Sequence, residues 1–186
     1  MDEYWTYKPN LIPPFVFEPL LLILQEFCCE RSDSKRKSCV FTNINRPIDF
    51  GGYKGVITYD WNDGPSILHE IYKFITDYTK EDYDYVLVHI YPDGNSSIAW
   101  HNDSEALNSS IASLSLGATR KFRLKKIDMT KGWDAEYHLN NGDLIWMHGP
   151  DPLSGRLSCQ QIYYHTVPVE KRVKSPRINL TFRQFK

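Results

Sequence analysis

The chain has 186 residues, of which 24% are charged and 41% hydrophobic, and its formal net charge is −1. This length and composition exclude a disordered chain and predict one folded domain with a hydrophobic core. A net charge near zero gives no long-range attraction for a polyanion, so nucleic-acid binding would depend on local basic clusters. Two basic runs exist, at 120–126 and 170–177, and each could equally be a solvated charged surface.

The cysteines and the N-terminal residues bear on location. The four cysteines form neither a CxxC pair nor a disulfide framework, which predicts a reducing compartment. The chain starts with the acidic sequence MDEYW, and the apolar run at 20–24 is too short to span a bilayer. We therefore expect an intracellular protein of the nucleus, the cytoplasm or both, neither secreted nor bound to a membrane.

Two helices are predicted in the first half of the chain. Residues 15–31 follow two prolines, which suit the start of a helix. Residues 65–80 carry apolar side chains at helical spacing along one stripe. From Tyr83 onward, short alternating or apolar runs separated by turn signals predict closely spaced strands. The sequence therefore predicts an α+β protein in which helices pack on a β-sandwich or β-barrel core.

The stretch WHNDSE places one histidine and two acids at alternate positions. In an extended strand, His101, Asp103 and Glu105 would project from the same face. An HxD pair arises easily by chance, but two histidines and one carboxylate on one face of Fe(II) form the facial triad of non-haem oxygenases. Spacing alone leaves three downstream candidates for the second histidine, namely His138, His148 and His165.

The segment RINLTFR near the C-terminus has polar side chains at alternate positions. Strand parity places four of them on one face: Arg177, Asn179, Thr181 and Arg183. The α-carbons of the two arginines would lie about 20 Å apart. Side chains that reach inward would leave a gap of about 6 to 8 Å, close to the length of a five-carbon dicarboxylate such as 2-oxoglutarate. The alternative is an exposed edge strand with solvated arginines.

Six motifs in chain order resemble one known family. They are YVLVHIYPDG, WHNDSE, SIASLSLGATRKFRL, GDLIWMHGP, YYHTVPV and SPRINLTFR. From about residue 46 to the C-terminus, this combination resembles the nucleic-acid-demethylating branch of the AlkB family of Fe(II)/2-oxoglutarate-dependent dioxygenases. The resemblance implies a double-stranded β-helix, or jelly-roll, core with N-terminal helices packed on it. It also implies a nucleotide-recognition lid.

The resemblance also implies a division of the chain and a set of site residues. Residues 1–186 would be a single domain, with an N-terminal extension and helix at 1–45, a substrate-recognition lid at 46–64 and a catalytic core at 83–186. The implied iron ligands are His101, Asp103 and His165. The implied 2-oxoglutarate contacts are Tyr91, Arg177, Asn179, Thr181 and Arg183, with His89 where the family usually has an asparagine. A neutral imidazole can donate one hydrogen bond there, or it could compete for the metal.

The substrate residues rest on the same resemblance. Tyr59 and Trp61 correspond to aromatic residues that hold a flipped-out base, which needs both stacking surfaces and a polar group that reads its edge. Glu105 corresponds to an acid that can accept from the amino group of adenine or cytosine. Ser104 departs from the acidic residue of some relatives, which leaves the base preference open. The alternative is that the two aromatics belong to the core and that Glu105 is an exposed acid.

The implied activity is oxidative demethylation of nucleic acid. Fe(II), 2-oxoglutarate and O2 would hydroxylate N-alkyl lesions of the 1-methyladenine or 3-methylcytosine type, with release of formaldehyde. DNA repair ranks ahead of RNA demethylation. The alternatives are a hydroxylase of a protein or small molecule on the same scaffold and a non-catalytic nucleic-acid-binding relative. The expected partners are alkylated DNA or RNA and 2-oxoglutarate, bound by a monomer.

Overall fold

The computed structural model describes residues 4–30, 35–44 and 56–185. The helices in these ranges are α1 (Phe17–Phe27), α2 (Ser66–Thr79) and the single turn α3 (Cys159–Ile162). The strands are β1 (Trp5–Lys8), β2 (Cys29–Glu30), β3 (Lys37–Thr42), β4 (Ile57–Asp60), β5 (Tyr85–Tyr91), β6 (Ile98–His101), β7 (Ile111–Gly117), β8 (Arg120–Lys126), β9 (Ala135–Leu139), β10 (Asp143–Met147), β11 (Tyr163–Val167) and β12 (Arg177–Arg183). Strands therefore dominate the second half, as predicted.

Two sheets form the core of the protein. The larger sheet has eight strands in the order β1-β10-β7-β12-β5-β3-β2, with β4 attached to β3. The smaller sheet has four strands in the order β6-β11-β8-β9. All pairs are antiparallel except β3 with β4. The predicted jelly-roll core with packed helices is confirmed.

The helix boundaries differ slightly from those predicted. Helix α1 ends at Phe27 rather than near residue 31, because Cys28 is extended and Cys29–Glu30 pairs with β3. Helix α2 begins after Pro65, and its last residue is Thr79, because the left-handed backbone of Lys80 terminates the helix. Its apolar stripe is buried as the spacing predicts, with Leu68 and Ile75 fully covered.

The first half also contains strands that the sequence analysis does not predict. Strand β1 pairs with β10, which places the start of the chain at one edge of the larger sheet. Strand β3 pairs with β5 on one side and with β2 and β4 on the other. These short strands extend the sheet well beyond the predicted catalytic core. Residues 46–55 of the predicted lid lie outside the described residues, so the division of the domain stays a prediction.

Hydrophobic side chains are buried on both faces of the larger sheet. On one face, α1 and α2 pack against β5, β7 and β12. On the other face, aromatic and aliphatic residues of both sheets meet, including Tyr91 and Ile145 of the larger sheet and Phe122 and Leu124 of the smaller one. Each fully buried apolar side chain contributes about 1.5 to 3 kcal/mol. None of the helices in the described ranges is long and apolar enough to cross a bilayer.

Candidate active site

Three side chains converge between the two sheets. Strands β6 and β11 pair in a register that places His101 directly opposite His165, with ring centroids 4.2 Å apart. Asp103 follows β6, and its carboxylate oxygens lie 3.7 Å from Nε2 of His101 and 3.6 Å from Nε2 of His165. The potential ligand atoms of all three residues lie within 4.8 Å of one another. These side chains are close enough to share one metal ion.

The backbone after His101 differs from the extended strand assumed in the sequence analysis. Strand β6 ends at His101, and residues 104–106 form a 3-10 turn rather than an extended continuation. A backbone turn, not strand parity, therefore positions Asp103 and Glu105. Gln160 holds this turn, because its backbone carbonyl accepts from Asn102 Nδ2 and its side-chain oxygen accepts from the Asp103 amide.

The charge states of the three side chains suit Fe(II). Burial, with a smaller contribution from the nearby His101, lowers the pKa of His165 to about 3. Burial also lowers the pKa of His101. Burial raises the pKa of Asp103, but Arg183 and the two imidazoles outweigh it, so the net direction is downward. Two neutral imidazoles and one ionised carboxylate at neutral pH form a donor set that Fe(II) accepts.

The other two candidate histidines lie elsewhere. His138 is exposed on β9, where Nε2 lies 3.4 Å from the carboxylate of Glu136. Nε2 of His148 lies 3.0 Å from Oγ1 of Thr6, in the strand at the edge of the larger sheet. The structure therefore brings together His101 and His165, and neither alternative joins the group.

A polar cavity adjoins the three side chains. Its walls come from both sheets, and its polar lining on the larger sheet projects from alternate positions of β5, β7 and β12. The lining residues include His89, Tyr91, Ser113, Asn179, Thr181 and Arg183. These residues are buried or nearly so. The structure thus gathers five of the predicted 2-oxoglutarate contacts on one side of the cavity.

Arg177 lies on the same face of β12 and is almost fully buried. Nη2 donates to Oγ of Ser115 at 2.8 Å, and the guanidinium lies 5.0 Å from the centre of the Tyr91 ring. Among the described residues, Nε and Nη1 have no hydrogen-bond partner. Burial lowers the pKa of Arg177 to about 10, which still leaves the group charged at neutral pH. A buried cation with unused donors fits an incoming carboxylate.

Arg183 has a different environment. Nη2 lies 3.0 Å from Oδ1 of Asp103, and Nη1 donates to the carboxylate of Glu105. Burial alone would lower the pKa of Arg183, but the two carboxylates raise it above its ordinary value. Oδ2 of Asp103 has no hydrogen-bond partner in the described part of the chain and lies 3.6 Å from Nε2 of His165. An unsatisfied, ionised oxygen at this point fits a bound cation.

The remaining predicted contacts have partners within the protein. Nδ1 of His89 lies 2.7 Å from Oγ of Ser38. Asn179 donates to Oγ of Ser113, and Thr181 donates to the carbonyl of Leu87. Sequence reasoning did not single out the two serines, although alternation in IASLSLG places Ser113 and Ser115 on one face. Ser38 has no comparable signal, because its strand was not predicted.

The predicted base-stacking residues lie outside the cavity. Oη of Tyr59 donates to the carbonyl of Phe27, and its ring stacks on Phe41 at a centroid distance of 5.6 Å. Trp61 packs against His69 and Tyr72 of α2. These contacts match the alternative of core aromatics, and the substrate role of Tyr59 and Trp61 stays a prediction.

Glu105 and Ser104, the other two predicted substrate residues, differ in their positions. Glu105 contacts Arg183, which lines the cavity, so its carboxylate reaches the edge of the site. Ser104 is exposed on the 3-10 turn. Of the residues predicted to read a base, Glu105 is thus the one that the structure links to the cavity.

Known proteins share this sequence pattern and fold. A family model described as the 2OG-Fe(II) oxygenase superfamily matches residues 36–183. The DNA oxidative demethylase ALKBH2 of Bos taurus is 35% identical over 116 residues, which cover 57% of this chain and 38% of that protein. The alpha-ketoglutarate-dependent dioxygenase alkB homolog 3 of Mus musculus is 34% identical over 119 residues, covering 59% and 39% respectively.

Two broader comparisons extend to almost the whole chain. The DNA oxidative demethylase ALKBH2 of Arabidopsis thaliana is 28% identical over 210 residues, which cover 98% of this chain and 62% of that protein. A structure titled "The structure of OsALKBH1" superimposes with a TM-score of 0.67 at 16% identity and covers 99% of both chains, which shows the shared fold. The chain spans between 38% and 62% of the length of the three curated relatives named here.

Proposed function

The chain belongs to the AlkB family of the 2OG-Fe(II) oxygenase superfamily, and we propose that it is an oxidative demethylase of N-alkylated bases in nucleic acid. The observation that carries this proposal is the convergence of His101, Asp103 and His165, together with the buried Arg177 and its unused donors on the same face of β12 as Arg183. The family uses Fe(II), 2-oxoglutarate and O2. The chain contains residues that fit the metal and the dicarboxylate.

In this proposal, the three clustered side chains hold the iron. His101 and His165 bind through ring nitrogens, and Asp103 binds through a carboxylate oxygen. Arg183 keeps Asp103 ionised and fixes its orientation through the 3.0 Å contact to Oδ1. Bound Fe(II), together with 2-oxoglutarate and O2, supplies an oxidant that hydroxylates a methyl group on a base nitrogen.

The cavity wall positions the dicarboxylate. Arg177 presents two unused donors to one carboxylate, and Ser115 holds the guanidinium in place. Tyr91, His89, Asn179 and Thr181 line the same wall, where they orient the co-substrate and exclude water. This assignment of 2-oxoglutarate contacts is part of the proposal.

The proposed substrate is a 1-methyladenine or 3-methylcytosine lesion. Glu105 lies at the edge of the site, where it can accept a hydrogen bond from an exocyclic amino group of either base. The hydroxymethyl product on the base nitrogen then loses formaldehyde: the hydroxyl proton leaves, the C–N bond breaks, and its electron pair stays on the ring nitrogen of the restored neutral base. The names of similar proteins support the choice of DNA ahead of RNA in this proposal. We further propose a monomer that acts inside the cell, in the nucleus or the cytoplasm.

The proposal is tested with DNA and RNA oligonucleotides that carry 1-methyladenine or 3-methylcytosine. The protein is incubated with Fe(II), ascorbate and 2-oxoglutarate, and the oligonucleotide mass is measured. We expect the loss of one methylene mass from at least one oligonucleotide, together with one succinate per product. His101→Ala and Asp103→Ala should each abolish both signals.

His148→Gln is the matched control, because this histidine contacts Thr6 and lies apart from the metal cluster. It should keep the wild-type rate. Unchanged oligonucleotides in the presence of succinate formation would show a 2-oxoglutarate oxygenase whose substrate is not these bases. Equal activity in the two ligand variants and the wild type would contradict the metal assignment.

The position of Trp61 favours a second candidate function, hydroxylation of a protein or small molecule. Trp61 packs against His69 and Tyr72 and does not border the cavity, so it does not provide there the aromatic surface expected for a flipped base. If Trp61→Ala demethylates at the wild-type rate and Glu105→Gln loses demethylation, base reading would be assigned to Glu105 alone. Wild-type demethylation rates in both variants would exclude both residues from base reading, whereas succinate formation by the wild type without demethylation would favour the second candidate.

A further inference from the structure

The smaller sheet has an outer face that takes no part in the cavity. His101 and His165 face inward on β6 and β11, and Phe122 and Leu124 face inward on β8. Since side chains alternate along a strand, the neighbours of these residues project outward. With one residue from the loop between β8 and β9, they form a surface that we name the outer platform: Trp100, Lys121, Arg123, Lys125, Trp133 and Tyr164.

A row of cations runs along this face. Lys121, Arg123 and Lys125 occupy alternate positions of β8, so their α-carbons are about 6.8 Å apart. All three are partly exposed. Nε of Arg123 lies 2.6 Å from the carboxylate of Glu136 on β9, which neutralises this arginine. The two lysines face other residues across the sheet, Lys121 opposite His138 and Lys125 opposite Tyr164. The row therefore retains positive charge, although the whole chain has a net charge of −1.

Two tryptophans lie against this row. The guanidinium of Arg123 lies 3.8 Å from the centre of the Trp133 ring, and Nζ of Lys125 lies 4.9 Å from the Trp100 ring. Trp133 is 46% exposed, a large apolar surface for a loop residue. A cation on one face of an indole holds the ring in place and leaves its remaining surface available for stacking. The face thus combines fixed aromatic rings with regularly spaced charges.

We propose that the outer platform binds single-stranded nucleic acid, with bases stacked on the tryptophans and phosphates on the lysines. This inference rests on the proposed function and extends it to the strand that flanks the modified base. Proteins that bind single strands without sequence preference combine aromatic stacking surfaces with a basic track, and a four-stranded sheet is one known support for such rings. Trp100 adjoins His101, whose inward-facing side chain is 27% exposed, so the platform borders the end of the strand that carries one of the clustered histidines.

The platform is tested by fluorescence anisotropy with a labelled, unmodified oligothymidylate of about twelve nucleotides, within the usual site sizes. In Lys121→Gln/Lys125→Gln we expect at least about tenfold weaker binding and a salt slope smaller by about 1.4, since each lost phosphate contact on a single strand removes about 0.7. Trp133→Ala should weaken binding about tenfold, and Trp133→Phe should restore most of it because phenylalanine keeps a stacking surface.

A matched control removes the same charge from another surface. Lys73→Gln/Lys80→Asn changes two lysines of α2 and its end, and asparagine tolerates the left-handed backbone at position 80. This variant should bind the oligonucleotide as tightly as the wild type. If both double variants bind the oligonucleotide equally weakly, the effect is caused by overall charge and the proposal is overturned. Wild-type affinity in Trp133→Ala would also overturn it, and the Arg123 contact would then be a surface-stabilising pair.

The platform and the proposed function fail in distinguishable ways. Wild-type turnover is measured separately on a 1-methyladenine mononucleotide, which is too short to reach from the cavity across the platform. Turnover of the mononucleotide without oligothymidylate binding would overturn the platform and leave the proposed function standing. Oligothymidylate binding that depends on Lys121, Lys125 and Trp133 would support the platform even in the absence of turnover.

Discussion

The two faces of the larger sheet show how one set of strands serves stability and chemistry separately. On β12, Ile178, Leu180 and Phe182 are fully buried against the helices. The intervening residues, such as Arg177 and Arg183, are polar, nearly as buried, and face the cavity. The helix face gains from the removal of apolar area from water, whereas the cavity face retains buried polar groups with unused hydrogen-bonding atoms. Stability and binding are thus assigned to alternate positions of the same strand.

The sharpest test of this division compares neighbouring residues. Leu180→Ala should lower the free energy of unfolding by about 2 to 5 kcal/mol, because it opens a cavity in the helix-side core. Thr181→Val, one residue further and on the other face, should cost only about 1 kcal/mol through the lost hydrogen bond to Leu87. Urea unfolding measures both. Similar losses in the two variants would contradict the division.

The next effect concerns metal affinity. His165→Gln should weaken Mn(II) or Co(II) binding by more than about 100-fold, since the loss of a residue that merely supports a ligand already costs about 10- to 100-fold. Isothermal titration calorimetry on the metal-free protein measures this directly. His148→Gln serves as the control because His148 lies apart from the cluster. Unchanged affinity in His165→Gln would remove this residue from the ligand set.

A smaller effect is expected for the dicarboxylate. Arg177→Lys keeps the charge but loses the planar fork, so 2-oxoglutarate should bind about 10- to 100-fold more weakly, in line with about 1.5 to 3 kcal/mol for a hydrogen bond to a charged group. Titration monitored by tryptophan fluorescence, with Mn(II) bound, measures the dissociation constant. The control is Arg156→Lys, in the loop after β10, where the guanidinium of Arg156 donates to the carbonyl of Leu157. This variant should bind 2-oxoglutarate as tightly as the wild type does. An unaffected Arg177→Lys would contradict the carboxylate role.

The smallest predicted effect concerns the hydrogen bond that Ser115 accepts from Arg177. Ser115→Ala removes the acceptor of the 2.8 Å hydrogen bond from Arg177 Nη2. A loss of about 1 kcal/mol corresponds to about fivefold weaker 2-oxoglutarate binding. Metal affinity should stay unchanged, because Ser115 does not contact the clustered ligands. A parallel fall in metal affinity would mean that the two binding sites are not separable.

Sequence reasoning reached the parts of the protein that depend on local pattern. Alternation in RINLTFR correctly placed Arg177 and Arg183 on one face, since a strand repeats every two residues. Spacing could not choose among three histidines for the third side chain of the cluster, because the choice depends on which strand pairs with β6. The family resemblance selected His165, and the register of β6 with β11 places it beside His101.

Other features depend on contacts between distant segments and carry no local signal. The four-residue strand β1 gains its partner β10 from more than a hundred residues away. Trp61 packs against α2, where its ring contacts His69 and Tyr72, and its own sequence context does not reveal these contacts. The pairing of Arg183 with Glu105 requires the 3-10 turn after Asp103, where strand parity predicted an extended chain.

The contact of Arg183 with Asp103 and Glu105 has an electrical consequence for the order of binding. Together with Arg177, these groups carry two positive and two negative charges, which cancel among themselves. A divalent cation on its own leaves two positive charges in a poorly hydrated space, and a dianion removes them. Occupancy by the ion therefore raises the attraction for the dicarboxylate, and the reverse holds by thermodynamic reciprocity.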